Sequence, residues 1–123
     1  MAIPFLLDEN LRGGGLWQAI QQHNAQGWNP LDVVRVGDPP DLPLKSLDPA
    51  ILLWAEKTGR ILLSLDKHSM PGHLLAHLKA GHRSPGIFVI RKNCSIPQVL
   101  FHLVMVAHAG DPAIYMDTIN YIP

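Results

Sequence analysis

The chain has 123 residues, of which 47% are hydrophobic, so it fits a single domain over residues 1–123 with a core of its own. Ten Lys and Arg residues balance ten Asp and Glu residues, and the formal net charge is zero. This balance argues against a broadly basic nucleic-acid clamp and a polybasic membrane binder, but it permits a local acidic centre with a basic rim. Cys94 is the one cysteine, so no intrachain disulfide can form, and a reducing, cytoplasmic location is expected.

Short apolar segments alternate along the chain with segments of helical periodicity. The first apolar segment has no polar alternation, which is typical of a strand buried on both faces. The predicted strands cover residues 3–7, 32–36, 61–65, 86–90 and 113–122. The predicted helices cover residues 11–26, 48–59, 74–80 and 97–109. This order predicts an α/β fold, a three-layer α/β/α sandwich around a mostly parallel sheet of about five strands.

Two of the predicted helices carry informative entry and exit signals. Gly13, Gly14 and Gly15 lie at the start of the first predicted helix without a phosphate-loop pattern after them, so they are interpreted as backbone freedom at its entry. In the second helix, Asp48 is expected to cap the free N–H groups, and Gly59 suits the end. From local sequence alone, capping is the simpler explanation of Asp48.

Acidic residues follow two of the predicted buried strands. In a doubly wound parallel sheet, ligands bind beyond the carboxyl ends of the strands. Asp8 and Asp66 each end such a strand, so they project into one crevice if their strands are neighbours. Gathered carboxylates repel each other unless a divalent cation neutralises them, and oxygen ligands suit Mg²⁺ or Mn²⁺. The alternative for Asp8 is a cap on the following helix, and the two roles are compatible.

Six short strings occur in order along nearly the whole chain: FLLDENL at 5–11, DVV at 32–34, LD at 47–48, GRILLSLDK at 59–67, PGIFVI at 85–90 and INYIP at 119–123. Taken together, they resemble the PIN-like family known as DUF5615. The resemblance implies a PIN-type α/β sandwich with Mg²⁺- or Mn²⁺-dependent ribonuclease activity. It also implies a toxin that is paired with an antitoxin protein.

The resemblance assigns site residues by position. Asp8, Asp48 and Asp66 take the places of the metal ligands and catalytic acids, and Glu9 assists them directly or through water. The family has a further acid two residues after the position of Asp66, where this chain has His68. This departure leaves open an alternative function, a catalytically degenerate PIN-like module that binds RNA or a protein.

Cationic and aromatic side chains outside the acidic positions suggest partners. The residues predicted to contact RNA are Arg12, Lys67, His68, Arg91 and Lys92, although each alone is more often a solvated charge. Phe101 and Met105 lie four apart in an apolar helix and are interpreted as core or as a homodimer face. The longest apolar run, residues 99–109, is far short of the roughly 20 residues of a membrane span, so no membrane partner is expected.

Two further interpretations concern histidines and strand-end charges. The group of His68, His73, His77 and His82 is expected to be a surface or partly buried cluster rather than a zinc site, because the metalloprotease pattern lacks its Glu.

A phospho-receiver domain is a further alternative, because such a domain also has acids at strand ends. Its lysine on the last site-facing strand would have to be Arg91 or Lys92.

Overall fold

The computed structural model describes residues 2–122 and shows an α/β fold. Met1 and Pro123, the last residue of the INYIP string, lie outside the described residues. The strands are β1 (Phe5–Leu7), β2 (Val33–Arg35), β3 (Ile61–Ser64), β4 (Ile87–Ile90) and β5 (Ile119–Ile122). The helices are α1 (Leu16–Ala25), α2 (Asp48–Thr58), α3 (Met70–Lys79), α4 (Ile96–Ala109) and α5 (Pro112–Tyr115), with a 3-10 helix at Glu9–Leu11. Every strand pairing is parallel, in the order β2-β1-β3-β4-β5, which confirms the predicted fold class.

Two apolar clusters, one on each face of the sheet, produce the three layers. Side chains alternate between the faces of a strand. In β1, Phe5 and Leu7 therefore pack against α1 and α4, whereas Leu6 packs against α2 and α3. All three side chains are fully buried, which explains why this strand is apolar without alternation. Within residues 2–122, no helix combines the length and apolarity needed to cross a bilayer.

The order of the strands reverses at β1. The chain places β2 on one side of β1 and then crosses over to place β3 on the other side. Leu7 lies opposite Leu63 in the register, and the Asp8 N–H donates to the Leu63 carbonyl at 2.9 Å. In open α/β sheets, such a reversal leaves a crevice at the carboxyl edge, where ligands bind. The segments after β1 and β3 therefore begin side by side at this crevice, as the sequence predicts for neighbouring strands.

The first helix is shorter than predicted. A 3-10 helix follows β1, and α1 begins only at Leu16. Gly14 and Gly15 separate the two with φ values of 87° and 89°, a left-handed conformation that favours glycine. This finding confirms that the glycines provide backbone freedom at the helix entry.

The predicted last strand is partly wrong. The chain forms α5 at residues 112–115, and β5 begins at Ile119. The Asp111 side chain accepts a hydrogen bond from the Ala113 N–H at 3.0 Å, and Pro112 occupies the first turn. A capping acid followed by proline favours a helix start over a strand, and this signal outweighs the apolar content of the segment.

Two further predictions are wrong: the capping role of Asp48 in α2 and the burial of two side chains of α4. Asp48 does not cap α2, because Leu47 occupies the cap position and no side chain bonds the free N–H groups there. Gly59 does end this helix, with φ 69°. On α4, Phe101 and Met105 are 69% and 51% exposed, so their interpretation as core is wrong.

Candidate functional site

Asp8 is a buried acid at the crevice between β1 and β3. Its carboxylate accepts hydrogen bonds from the Glu9 N–H at 2.7 Å and from the Ser64 hydroxyl at 2.8 Å. Burial raises the pKa of Asp8, and repulsion from Asp48 and Asp66 raises it further, whereas the two hydrogen bonds oppose the shift. Asp8 therefore caps the 3-10 helix and also lies within the electrostatic influence of both other predicted acids.

Asp66 follows β3 and organises the entry to α3. Its Oδ1 atom accepts the N–H groups of His68 at 3.1 Å and Ser69 at 3.0 Å. The Ser69 hydroxyl donates to the other carboxylate oxygen. The hydrogen bonds from Ser69, followed by the one from His68, lower the pKa of Asp66, so this carboxylate is ionised at neutral pH.

Asp48 lies in the first turn of α2 and contacts a histidine of α3. Its Oδ2 atom is 3.1 Å from Nε2 of His73, and both side chains are about one-third exposed or less. Because Asp48 lies inside the helix rather than at the cap position, its carboxylate does not bond the free N–H groups of α2. The predicted third acid therefore has His73 as its partner within the chain, and its charge acts on Asp8.

Glu9 turns towards the loop of residues 37–47 rather than towards the other acids. Its Oε1 atom accepts the backbone N–H of Lys45 at 2.6 Å. Lys45 has φ 66°, an uncommon conformation for a residue with a side chain. The contact thus holds the loop beside the 3-10 helix, and it occupies one oxygen of the predicted assisting acid.

Ser64 and Asn10 also belong to the site, although neither was predicted as a site residue. The fully buried Ser64 hydroxyl accepts from Asn10 Nδ2 at 3.3 Å and from the Asp66 N–H at 3.1 Å while it donates to Asp8. Asn10 Oδ1 also accepts the Leu65 N–H at 3.3 Å. One signal was available, because Ser64 is the polar residue in the otherwise apolar run ILLSL.

The donor chemistry of the three aspartates fits a hard cation. Carboxylate oxygens are the ligands that Mg²⁺ and Mn²⁺ prefer, and a cation would relieve the repulsion that raises the pKa of Asp8. Within residues 2–122, however, no three His, Cys, Asp or Glu side chains are grouped as a metal site in the arrangement described. Each of the three aspartates already has a partner within the chain: Ser64 donates to Asp8, Ser69 donates to Asp66, and His73 contacts Asp48.

A groove of about 910 Å³ runs beside this site along the carboxyl ends of β3, β4 and β5. Asp66 and Tyr121 lie in its lining. Four of the five residues predicted to contact RNA also line it, namely Lys67, His68, Arg91 and Lys92. All four are exposed. The structure therefore brings these cationic side chains together beside one of the predicted metal ligands.

The cations of this groove have no acidic partner in the part of the chain that the structure describes. The arginines that form ion pairs with carboxylates are Arg12, Arg35, Arg60 and Arg83. The remaining arginine, Arg91, lies in the groove and forms no such pair among residues 2–122. The same holds for Lys67 and Lys92. Although the formal net charge of the chain is zero, the groove therefore has a local excess of positive charge.

Arg12, the fifth predicted RNA contact, lies elsewhere. Its guanidinium donates to the Val36 carbonyl at 2.8 Å and to Asp38 at 3.1 Å. These bonds hold the chain that follows β2 against the 3-10 helix segment. Arg12 therefore stabilises the segment that follows β2, and it does not line the groove.

The four histidines do not form one cluster. His68 lines the groove, His73 contacts Asp48, and the rings of His77 and His82 stack 5.0 Å apart. The stacked pair shares Glu56, whose Oε1 atom lies 3.0 Å from Nδ1 of His82 and 3.4 Å from Nε2 of His77. These residues therefore occupy three separate environments.

Comparisons of this chain with known protein families, with curated proteins and with solved structures found no match. The features that bear on function are therefore the crevice, the groove and the ordered strings of the sequence. Arg91 and Lys92, one of which the phospho-receiver alternative requires, follow β4 and line the groove.

Proposed function

We propose that this protein is a PIN-like ribonuclease that depends on Mg²⁺ or Mn²⁺ and hydrolyses RNA phosphodiesters. The observation that carries the proposal is the position of Asp8 at the reversal point of a parallel sheet, where burial raises its pKa and repulsion from Asp48 and Asp66 raises it further. The adjoining groove of unpaired cations supplies a surface for a polyanion. The resemblance to the family supports the same function.

Asp8, Asp48 and Asp66 are the residues that would hold the cation. When bound, a divalent ion of this kind lowers the pKa of a water molecule and neutralises developing charge on phosphate oxygens. Asp8 is oriented for this task by the Ser64 hydroxyl and the Glu9 N–H. Participation of Asp48 would replace its contact with His73.

The groove residues bind and orient the RNA. Lys67, Arg91 and Lys92 are exposed and have no competing carboxylate among the described residues, so their charge is available to phosphates. His68 adds a donor where the family has an acid. Because Asp66 lines the same groove, an RNA strand lying in it passes beside the acidic residues.

The test is cleavage of RNA in the presence of Mn²⁺ by the wild type, by Asp8→Asn and by Asp41→Asn. Asp41 is a matched control, because it is an exposed aspartate that pairs with Lys57. We expect Asp8→Asn to lose cleavage and Asp41→Asn to retain it. Equal activity of the wild type and Asp8→Asn would contradict the proposed mechanism.

The alternative is a catalytically degenerate PIN-like module that binds RNA or a protein. It is favoured by the hydrogen bonds that already occupy Asp8, Asp66 and Glu9, by the contact of Asp48 with His73, and by His68 in place of an acid. Calorimetric titration with Mn²⁺ separates the two functions. Metal binding that Asp8→Asn abolishes supports the ribonuclease, and absence of binding at millimolar Mn²⁺ supports the module.

The biological role that we propose is the toxin of a toxin–antitoxin pair in the cytoplasm. The exposed Phe101 and Met105 on α4 offer an apolar surface for an antitoxin or a second copy. A small antitoxin-like gene beside this one, whose product abolishes the RNA cleavage, is the expected result. A neighbouring protein that binds without changing cleavage would contradict the toxin role.

A further inference from the structure

We infer that Tyr121 contacts a nucleobase of the bound RNA, so that the groove selects strands with an unstacked base at this position. The inference rests on the proposed function. It assigns a specificity-determining role to a residue for which neither the acidic positions nor the resemblance gives a role. The contact concerns recognition of the strand and not the hydrolytic step.

The position of Tyr121 on the edge strand leaves its side chain accessible. The Thr118 carbonyl accepts a hydrogen bond from Ile87 of β4, and the Ile122 carbonyl accepts one from Arg91, which follows β4, so the backbone groups of Tyr121 face the open edge of the sheet. The neighbouring Ile122 is buried, whereas Tyr121 is 42% exposed and lines the groove. An aromatic ring at a groove wall can stack with a base.

Arg91 strengthens this interpretation. Its guanidinium carbon lies 5.1 Å from the centroid of the Tyr121 ring, and no carboxylate pairs with it among residues 2–122. Arg35 lies in a similar way over Trp17, but it also binds Asp38, so its charge is compensated. Tyr121 and Arg91 together present a flat aromatic surface and an unpaired cation. Proteins that bind single-stranded nucleic acid use these two features.

The remaining groove residues fit the same polymer. Lys67 and Lys92 supply charge for the phosphates, and Asp66 lies in the same lining. In a duplex, each base is covered by its neighbours and cannot offer its face to Tyr121. Recognition through a ring therefore favours a single strand, a loop or an end.

The experiment measures anisotropy of a short labelled oligouridine in buffer with Ca²⁺, which separates binding from Mn²⁺-dependent cleavage. We expect Tyr121→Leu to weaken binding about 5- to 30-fold and Tyr121→Phe to bind within about twofold of the wild type. Trp28→Leu is the matched control, because Trp28 is an exposed aromatic residue that lies outside this groove. Its affinity should equal that of the wild type.

An oligouridine in which the bases are removed position by position provides a second readout. Loss of the contacted base should weaken binding to the wild type and leave the already weakened binding to Tyr121→Leu unchanged. Wild-type affinity in Tyr121→Leu, or an abasic penalty of equal size in both proteins, would overturn the inference. Failure of the proposed function gives a different pattern: the Tyr121 effect persists, while Mn²⁺-dependent cleavage is the same in the wild type and Asp8→Asn.

Discussion

The hydroxyl group of Ser64 donates a hydrogen bond to Asp8 at 2.8 Å, and both residues are buried. The bond joins the last residue of β3 to the residue that follows β1. It opposes the rise in the pKa of Asp8 that burial produces. The geometry of the acidic site therefore depends on Ser64, a neutral side chain that is not one of the predicted metal ligands.

Replacement of Ser64 by alanine should damage both stability and the site. Asp8 and Asn10 would lose their hydrogen-bond partner, so we expect Ser64→Ala to lower the free energy of unfolding by about 1 to 3 kcal/mol. The pKa of Asp8 should rise further, because a hydrogen bond to its charged form disappears. Urea unfolding provides the measurement, with Ser46→Ala as the control, because the Ser46 hydroxyl donates to the Pro43 carbonyl in a loop and to no other group among residues 2–122. Equal stability of the two variants would contradict this prediction.

Protonation of Asp8 should stabilise the fold. Its pKa is raised above the unfolded value, so the folded protein binds a proton as the pH falls, before the unfolded chain does. The free energy of unfolding of the wild type should therefore increase relative to Asp8→Asn between neutral pH and about pH 4. Urea unfolding of both proteins across this range checks the sign, and a constant difference would count against a raised pKa.

The parallel sheet and the proximity of Asp8 to Asp66 could be predicted because they depend on local patterns. Fully apolar strands that alternate with helices define the doubly wound sheet, and strand ends fix where the acids lie. The contacts of individual side chains could not be predicted in this way. Glu9 binds the N–H of Lys45, 36 residues away, because the 37–47 loop folds back over the 3-10 helix.

The groove depends on sheet order rather than on any local string. Tyr121 lies in a segment that looks like any half-apolar strand, and its exposure follows from the position of β5 at the edge. Likewise, the sequence does not show that Arg91 lacks a carboxylate partner among the described residues. This difference from the other four arginines is visible only in the structure. The start of α5 could have been recognised, because Asp111 and Pro112 carry a standard helix-entry signal.

Two substitutions at Asp66 should separate its structural and functional roles. Alanine removes the acceptor for the N–H groups of His68 and Ser69, so we expect Asp66→Ala to lose about 0.5 to 2 kcal/mol of stability. Asparagine keeps a carbonyl acceptor and should retain most of it. Both variants lose a carboxylate, so both should lose Mn²⁺-dependent cleavage. Full activity of Asp66→Asn would show that the charge at this position is dispensable.

The unpaired lysines of the groove should determine the salt dependence of RNA binding. Each lysine that contacts a phosphate contributes about 0.7 to the slope of log affinity against log salt for a single strand. Lys67→Ala and Lys92→Ala should each reduce the slope by about that amount, because both residues line the groove. Lys79→Ala is the matched control, since Lys79 is exposed at the end of α3 and does not line this groove. Anisotropy titrations at several salt concentrations provide the measurement. An equal reduction in all three variants would indicate that net charge, rather than the groove, attracts the RNA.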